Sequence, residues 1–181
     1  MMKKFVCVIF TIALFFSATA QDHLTFLGMP IDGSPEKFSQ KLTNKGIVYI
    51  QEINGVNLHI GSYLGYNNCI VGVVQSQKED LVQSVLVCII EPNDWASLKA
   101  VYTDIRKKLA KEYGEPKVVE EMFSTPVKTD QEKYQAIVDG KCSYSASYST
   151  RLGDIDISIE NAEGLGPCIT VQYSDNVNIG K

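Results

Sequence analysis

The sequence predicts an α+β fold, built as two helix-plus-antiparallel-sheet halves with the helices packed on one face of the sheet. Three observations carry that prediction. Apolar residues recur at helical spacing in one long segment and two short ones. Most of the remaining chain alternates apolar and polar residues with the period of a strand. The order of a helix followed by a meander of strands occurs twice, over residues 34–91 and again over 93–174. Helices gathered on one side of an antiparallel sheet accommodate that order.

The first helix is expected after Asp32-Gly33. Ser34 is a good N-cap, Pro35 suits the first turn, Phe38 and Leu42 share a face, and Gly46 ends it. The second is the clearest element. Asn93 or Asp94 caps it, and Trp95, Leu98, Tyr102, Ile105, Leu109 and Tyr113 form one stripe before Gly114 and Pro116 stop it. The third starts at Thr129, with Glu132 at capping-box spacing, and Gly140 closes it.

Strands fill the gaps. A short one is expected over Leu24 to Met29. Ile47 to Ile53 and Val56 to Ser62 flank Asn54-Gly55, whose residues tolerate the positive φ of a tight hairpin turn. Cys69 to Gln75 and Val82 to Ile90 follow, joined by a polar loop at 76–80. Lys117 to Phe123, Ser143 to Ser149, Ile155 to Glu160 and Ile169 to Ser174 complete the set. The last three alternate cleanly. Tyr144, Ala146 and Tyr148 oppose serines, and Ile155, Ile157 and Ile159 oppose Asp154, Asp156, Ser158 and Glu160. That half reads as a sheet with one buried and one wet face. Around Ile70 to Val74 and Val85 to Ile90 both faces are apolar, so that half is expected to be covered on both sides.

Residues 1–20 have the build of a cleavable signal peptide: Lys3 and Lys4, an apolar run from Phe5 to Phe16, then Ala18-Thr19-Ala20. The run is short for a membrane span. Cleavage after Ala20 would leave a single α+β domain over 21–181, periplasmic or secreted, with no membrane anchor. Losing the two lysines would take the formal charge from −4 to −6. That balance argues against nucleic acid as a partner.

Of five cysteines, four follow the leader: Cys69, Cys88, Cys142 and Cys168. An even count in an exported chain suggests disulfides. Folding back about the 76–80 loop sets Cys69 opposite Cys88, and Cys142 and Cys168 open two strands of the second meander. Cys69–Cys88 and Cys142–Cys168 are therefore the favoured pairs, with buried free thiols as the alternative. No C-x-x-C occurs, and the histidines are His23 and His59, so no zinc set is expected.

His23 falls in a terminus where disorder is the default. His59 is expected as a solvated strand residue, and it is the one well-placed base for nucleophilic catalysis. No nucleophile elbow, phosphate loop or dinucleotide fingerprint accompanies it. Asp154, Asp156 and Glu160 share a strand face without calcium-loop spacing, so they read as a solvated row. Tyr63, Tyr66, Asn67 and Asn68 surround a connection where aromatic side chains could anchor a partner. Their folding back as core is an equal reading.

The segment Leu24-Thr25-Phe26-Leu27-Gly28-Met29-Pro30-Ile31-Asp32-Gly33-Ser34, with Phe38, Leu42 and Gly46, resembles the opening of a group of exported gut-bacterial proteins without assigned activity. The Trp95 helix ending in Tyr113-Gly114-Glu115-Pro116 fits the same pattern. The duplicated helix-plus-meander order is also similar to the β-lactamase inhibitor protein fold. There, a secreted tandem module binds a protein through the open face of its sheet. The resulting expectation is an exported binding or interaction module for a protein or cell-surface component, without catalysis or cofactor. The alternative is a small periplasmic hydrolase using His59.

Overall fold

Each helix starts where a side chain can take up a free amide. Ser34 accepts from the Lys37 amide at the head of α1 (Pro35–Asn44), which buries Phe38 and Leu42. Asp94 accepts from Ser97, which bonds back to it, in a reciprocal box that opens α2 (Trp95–Tyr113). Its expected stripe of Trp95, Leu98, Tyr102, Ile105 and Leu109 is buried. Thr129 and Glu132 form a second box at α3 (Asp130–Val138). The computed structural model describes residues 22–77 and 79–179. The leader expected at 1–20 lies outside the described residues.

Among the described residues the fold is mixed and mostly sheet. Leu27 and Gly28 both take positive φ (49° and 75°). They split the expected first strand into a two-residue hairpin of β1 (Thr25–Phe26) and β2 (Met29–Pro30). The main sheet contains β3 (Val48–Ile53), β4 (Val56–Tyr63), β5 (Tyr66–Gln75), β6 (Val82–Ile89), β7 (Val118–Phe123), β8 (Cys142–Ser149), β9 (Gly153–Ala162) and β10 (Gly166–Asp175). Its order is β3-β4-β5-β6-β10-β9-β8-β7, antiparallel throughout. Two four-stranded meanders thus run inward from the two edges and meet at the β6–β10 ladder.

Register sorts the side chains onto two faces. One cross-strand row runs Tyr49, His59, Val71, Val87, Val171, Ile157, Ala146 and Val119. All but the two edge residues are buried, so this is the core face. Helix α2 packs on it: Trp95 and Tyr102 meet Tyr144 edge-on at 5.0 and 6.0 Å, and the Tyr148 hydroxyl donates to the Arg106 carbonyl at 2.9 Å. Core contacts join the halves. The Phe26 ring lies parallel to Tyr63 and edge-on to Tyr173, and the hydroxyls of Tyr63 and Tyr173 bond at 2.9 Å.

The first and last described segments also meet. Buried Asp175 accepts from the Leu24 amide at 2.6 Å and the Asn178 amide at 3.0 Å, with His23 Nδ1 3.2 Å away. His23 is held by this carboxylate, which overrides the expectation of a loose terminus.

The favoured disulfide pairs do not match the register, and all four cysteines are free. Gln75 faces Val82; had that register continued, Cys69 would face Cys88. A bulge between Val74 and Gln75 slips the pairing by one residue, so Ile70 faces Cys88 and Cys69 turns to the opposite side. Cys142 shares the Tyr144 face, whereas Cys168 shares the Thr170 face, with β9 between their strands.

Candidate binding surface

The face opposite the core is composed row by row. One row runs Gln51, Leu58, Gly72, Leu86, Gln172, Asp156, Ser147 and Val118. The next runs Val48, Ile60, Ile70, Cys88, Thr170, Ser158, Ser145 and Glu120. Both rows change chemistry at the β6–β10 ladder. On the β3–β6 side every residue of the two rows but Gln51 is apolar; on the β10–β8 side they carry hydroxyls, amides and carboxylates.

The apolar side is not sealed. Val56, Leu58, Ile70, Val74 and Leu86 are half-buried, and Ile60 and Val48 are 38% and 56% exposed. This differs from the expectation that the first half is covered on both sides. Strand periodicity shows that both faces are apolar; it does not show that an element of the same chain lies over each.

On the polar side the side chains hold one another in place. Ser147 donates to Asp156 at 2.5 Å, and the Ser158 and Thr170 hydroxyls bond at 2.7 Å. Gln172 donates to Ser174 at 3.3 Å. Such bonds, two across strands and one along β10, reduce the rotamer freedom lost when a partner lands. Among the described residues no group of three His, Cys, Asp or Glu side chains is arranged to hold a metal ion.

The tyrosine hairpin divides. Tyr63 is fully buried and belongs to the core, so it offers nothing to a partner. The turn is only Leu64-Gly65, both at positive φ, and Tyr66, Asn67 and Asn68 already belong to β5. Tyr66 is half-buried. Its hydroxyl donates to Asp104 at 2.8 Å, Lys108 lies 5.2 Å from its ring, and Lys108 donates to the Leu64 carbonyl at 2.8 Å. Burial and the Asp104 contact push its hydroxyl up to about 12. Exposed Asn67 accepts from Ser62 at 2.8 Å, and exposed Asn68 donates to Glu91 at 3.2 Å. The hairpin is therefore pinned to α2 and presents two amides rather than aromatic anchors.

His59 is fully buried on the core face, contrary to the solvated position expected from its strand. Nδ1 lies 3.1 Å from the Asn57 carbonyl and 3.4 Å from the Val71 carbonyl, and Nε2 has no partner among the described residues. Burial lowers its pKa, against the opposing pull of the two carbonyls. No hydroxyl, thiol or carboxylate is hydrogen-bonded to the ring among the described residues.

Hollows also lie elsewhere among the described residues. One of about 370 Å³ sits between the starts of α2 and α3 and is lined by Asp94, Trp95, Asp130 and Tyr134. Another, of about 590 Å³, is lined by Ser76, Gln83 and Asn178 among others. Neither contains a histidine or a cysteine. Among the described residues no helix is long and apolar enough to cross a membrane. No protein-family model matches the chain, and no curated protein or solved structure was found to be similar to it.

Proposed function

We propose that the chain is an exported binding module that takes a protein partner on the sheet face opposite its core. On this reading all three helices lie on the core side, and the other face stays open for the partner. The contacts of α2 with Tyr144 and Tyr148 support that arrangement, as does the joining of Phe38, Leu42 and Ile137 to the same core cluster as Val71, Val171 and Ile157.

The observation that carries the reading is the two-part chemistry of the open face. Eight strands about 4.8 Å apart and 6–10 residues long give a surface of very roughly 900 Å². A specific complex needs about 800 Å² from each partner. An apolar area from Val48 to Leu86 beside a flank bearing Asp156 and Glu160 fits a protein with an apolar centre and a basic rim. Export through the 1–20 leader would deliver the module to the periplasm or medium.

Catalysis by His59 has less support. Its ring is sealed from solvent, and a base must reach the proton it removes.

A photo-crosslinking residue at Gln172, in the middle of the open face, tests the proposal in the native cell. The same residue at Lys107, on exposed α2, is the control. A discrete adduct from position 172 and none from 107 is the expected result. Adducts confined to position 107, or none from position 172, would refute the open-face reading.

A further inference from the structure

We propose that Cys88 and Cys168 form a disulfide across the ladder where the two halves of the sheet meet. Cys88 lies on β6 and Cys168 on β10, the two strands that join the meanders. Thr170 is the direct partner of Cys88, so Cys168 sits one diagonal step away on the same face, one residue beyond the last pair, Ile169↔Ile89. Diagonal neighbours in an antiparallel pair have Cα atoms about 7–8 Å apart and Cβ atoms closer. A disulfide closes at Cα separations of about 4.4–6.8 Å. The required shift is about 1 Å, and the position can supply it. Ile90 lies just beyond the end of β6 and is exposed, so the ladder is no longer fixed there.

The two thiols are near enough to couple: the neighbouring Cys168 and burial push Cys88 up, and the neighbouring Cys88 pulls Cys168 down. The other two cysteines differ. Cys69 and Cys142 share the core face, four strand spacings or about 19 Å apart, and burial pushes each thiol up to about 11. They remain free thiols.

The step is a thiol–disulfide exchange with a small-molecule disulfide such as oxidised glutathione. The thiolate of one cysteine of the pair attacks one sulfur of that disulfide, breaks its S–S bond and releases one thiolate. The other cysteine gives up its proton to solvent and attacks the protein sulfur of the mixed disulfide, releasing the second thiolate. The protein dithiol is oxidised, and the small disulfide is reduced to two thiols. In the finished fold Cys88 is 6% exposed and Cys168 fully buried, so the exchange belongs to folding, before the sheet closes.

Trypsin separates the four cysteines into peptides 46–78, 79–99, 142–151 and 152–181. The full chain is reduced in denaturant and refolded in a glutathione redox buffer. It is then checked for native far-UV circular dichroism, alkylated, digested and mapped by mass spectrometry. The expected product links 79–99 to 152–181, with Cys69 and Cys142 alkylated. Natively folded protein with all four cysteines alkylated, or with a link involving 46–78 or 142–151, would overturn the proposal. If refolding fails, natively purified chain held with oxidised glutathione in mild urea is mapped instead, and the same peptide links support or overturn the pair. Reductant should lower the melting temperature of the oxidised protein by about 10 °C, since the bond closes a loop of some 80 residues. The Cys88→Ser/Cys168→Ser variant should show no such drop. An equal drop in that variant would also count against the pair.

Discussion

His59 carries its proton on Nδ1, because both carbonyls that reach it can only accept. Its Nε2 lone pair is buried with no donor among the described residues. Protonation would place a charge in the core, and the folded pKa is accordingly below the ordinary 6.5. The unfolded chain therefore binds the proton at a higher pH than the folded chain does. The stability difference is fully retained above about pH 6.5 and is lost as pH falls from there through the folded value. Urea midpoints should decline between about pH 7.5 and pH 5, and His59→Gln should flatten part of that slope. Parallel pH profiles for the two proteins would refute the assignment. Gly153 makes a steric argument of the same kind. A Cβ there would lie 2.2 Å from the Ser174 carbonyl oxygen and 3.0 Å from Leu24 Cδ2. Backbone cannot swing aside as a long side chain can, so Gly153→Ala should cost at least about 1–3 kcal/mol in urea denaturation. Unchanged stability would mean that the β9–β10 ladder yields there.

At the scale of elements, α2 owes its start to Asp94, whose carboxylate is held below its ordinary pKa by the Ser97 amide and hydroxyl. Removing that cap by Asp94→Ala should lower the urea midpoint and leave the slope unchanged. A neutral result would show that packing of Trp95 and Leu98 fixes the helix start without the cap. The helices were legible in the sequence because caps and stops are local: Ser34, Asp94 and Thr129 each act within three residues. The Asn54-Gly55 hairpin was legible for the same reason. Strand pairing was less so. A period of two assigns residues to a face but does not name the neighbouring strand, and one unmarked bulge at Val74/Gln75 reversed the side of Cys69. His59 shows the same limit. Its alternation with Leu58 and Ile60 placed it correctly on the opposite face but could not show that this face is the buried one. The face opposite the core was only half visible: the serine and acid flank stood out, whereas the apolar flank looked like a second core.

For the whole molecule, the question is whether the two meanders are one cooperative body. Three links argue that they are. The β6–β10 ladder pairs six residues on each side, from Ile169↔Ile89 to Ser174↔Ser84. Phe26 packs against Tyr63 from the first half and Tyr173 from the second. Asp175 ties the last strand to Leu24 and His23 near the described start of the chain. Separating the halves would expose a central ladder and an aromatic cluster at once, a cost shared by both. Damage to either side should therefore lower a single transition. Phe38→Ala in α1 removes a fully buried ring and should cost about 3–5 kcal/mol; Leu98→Ala in α2 should cost about 2–5 kcal/mol. Both losses should shift one urea transition, with near-UV and far-UV circular dichroism coinciding. Two transitions, only one of them moved by Phe38→Ala, would mean that the halves melt separately and that the shared sheet couples them weakly.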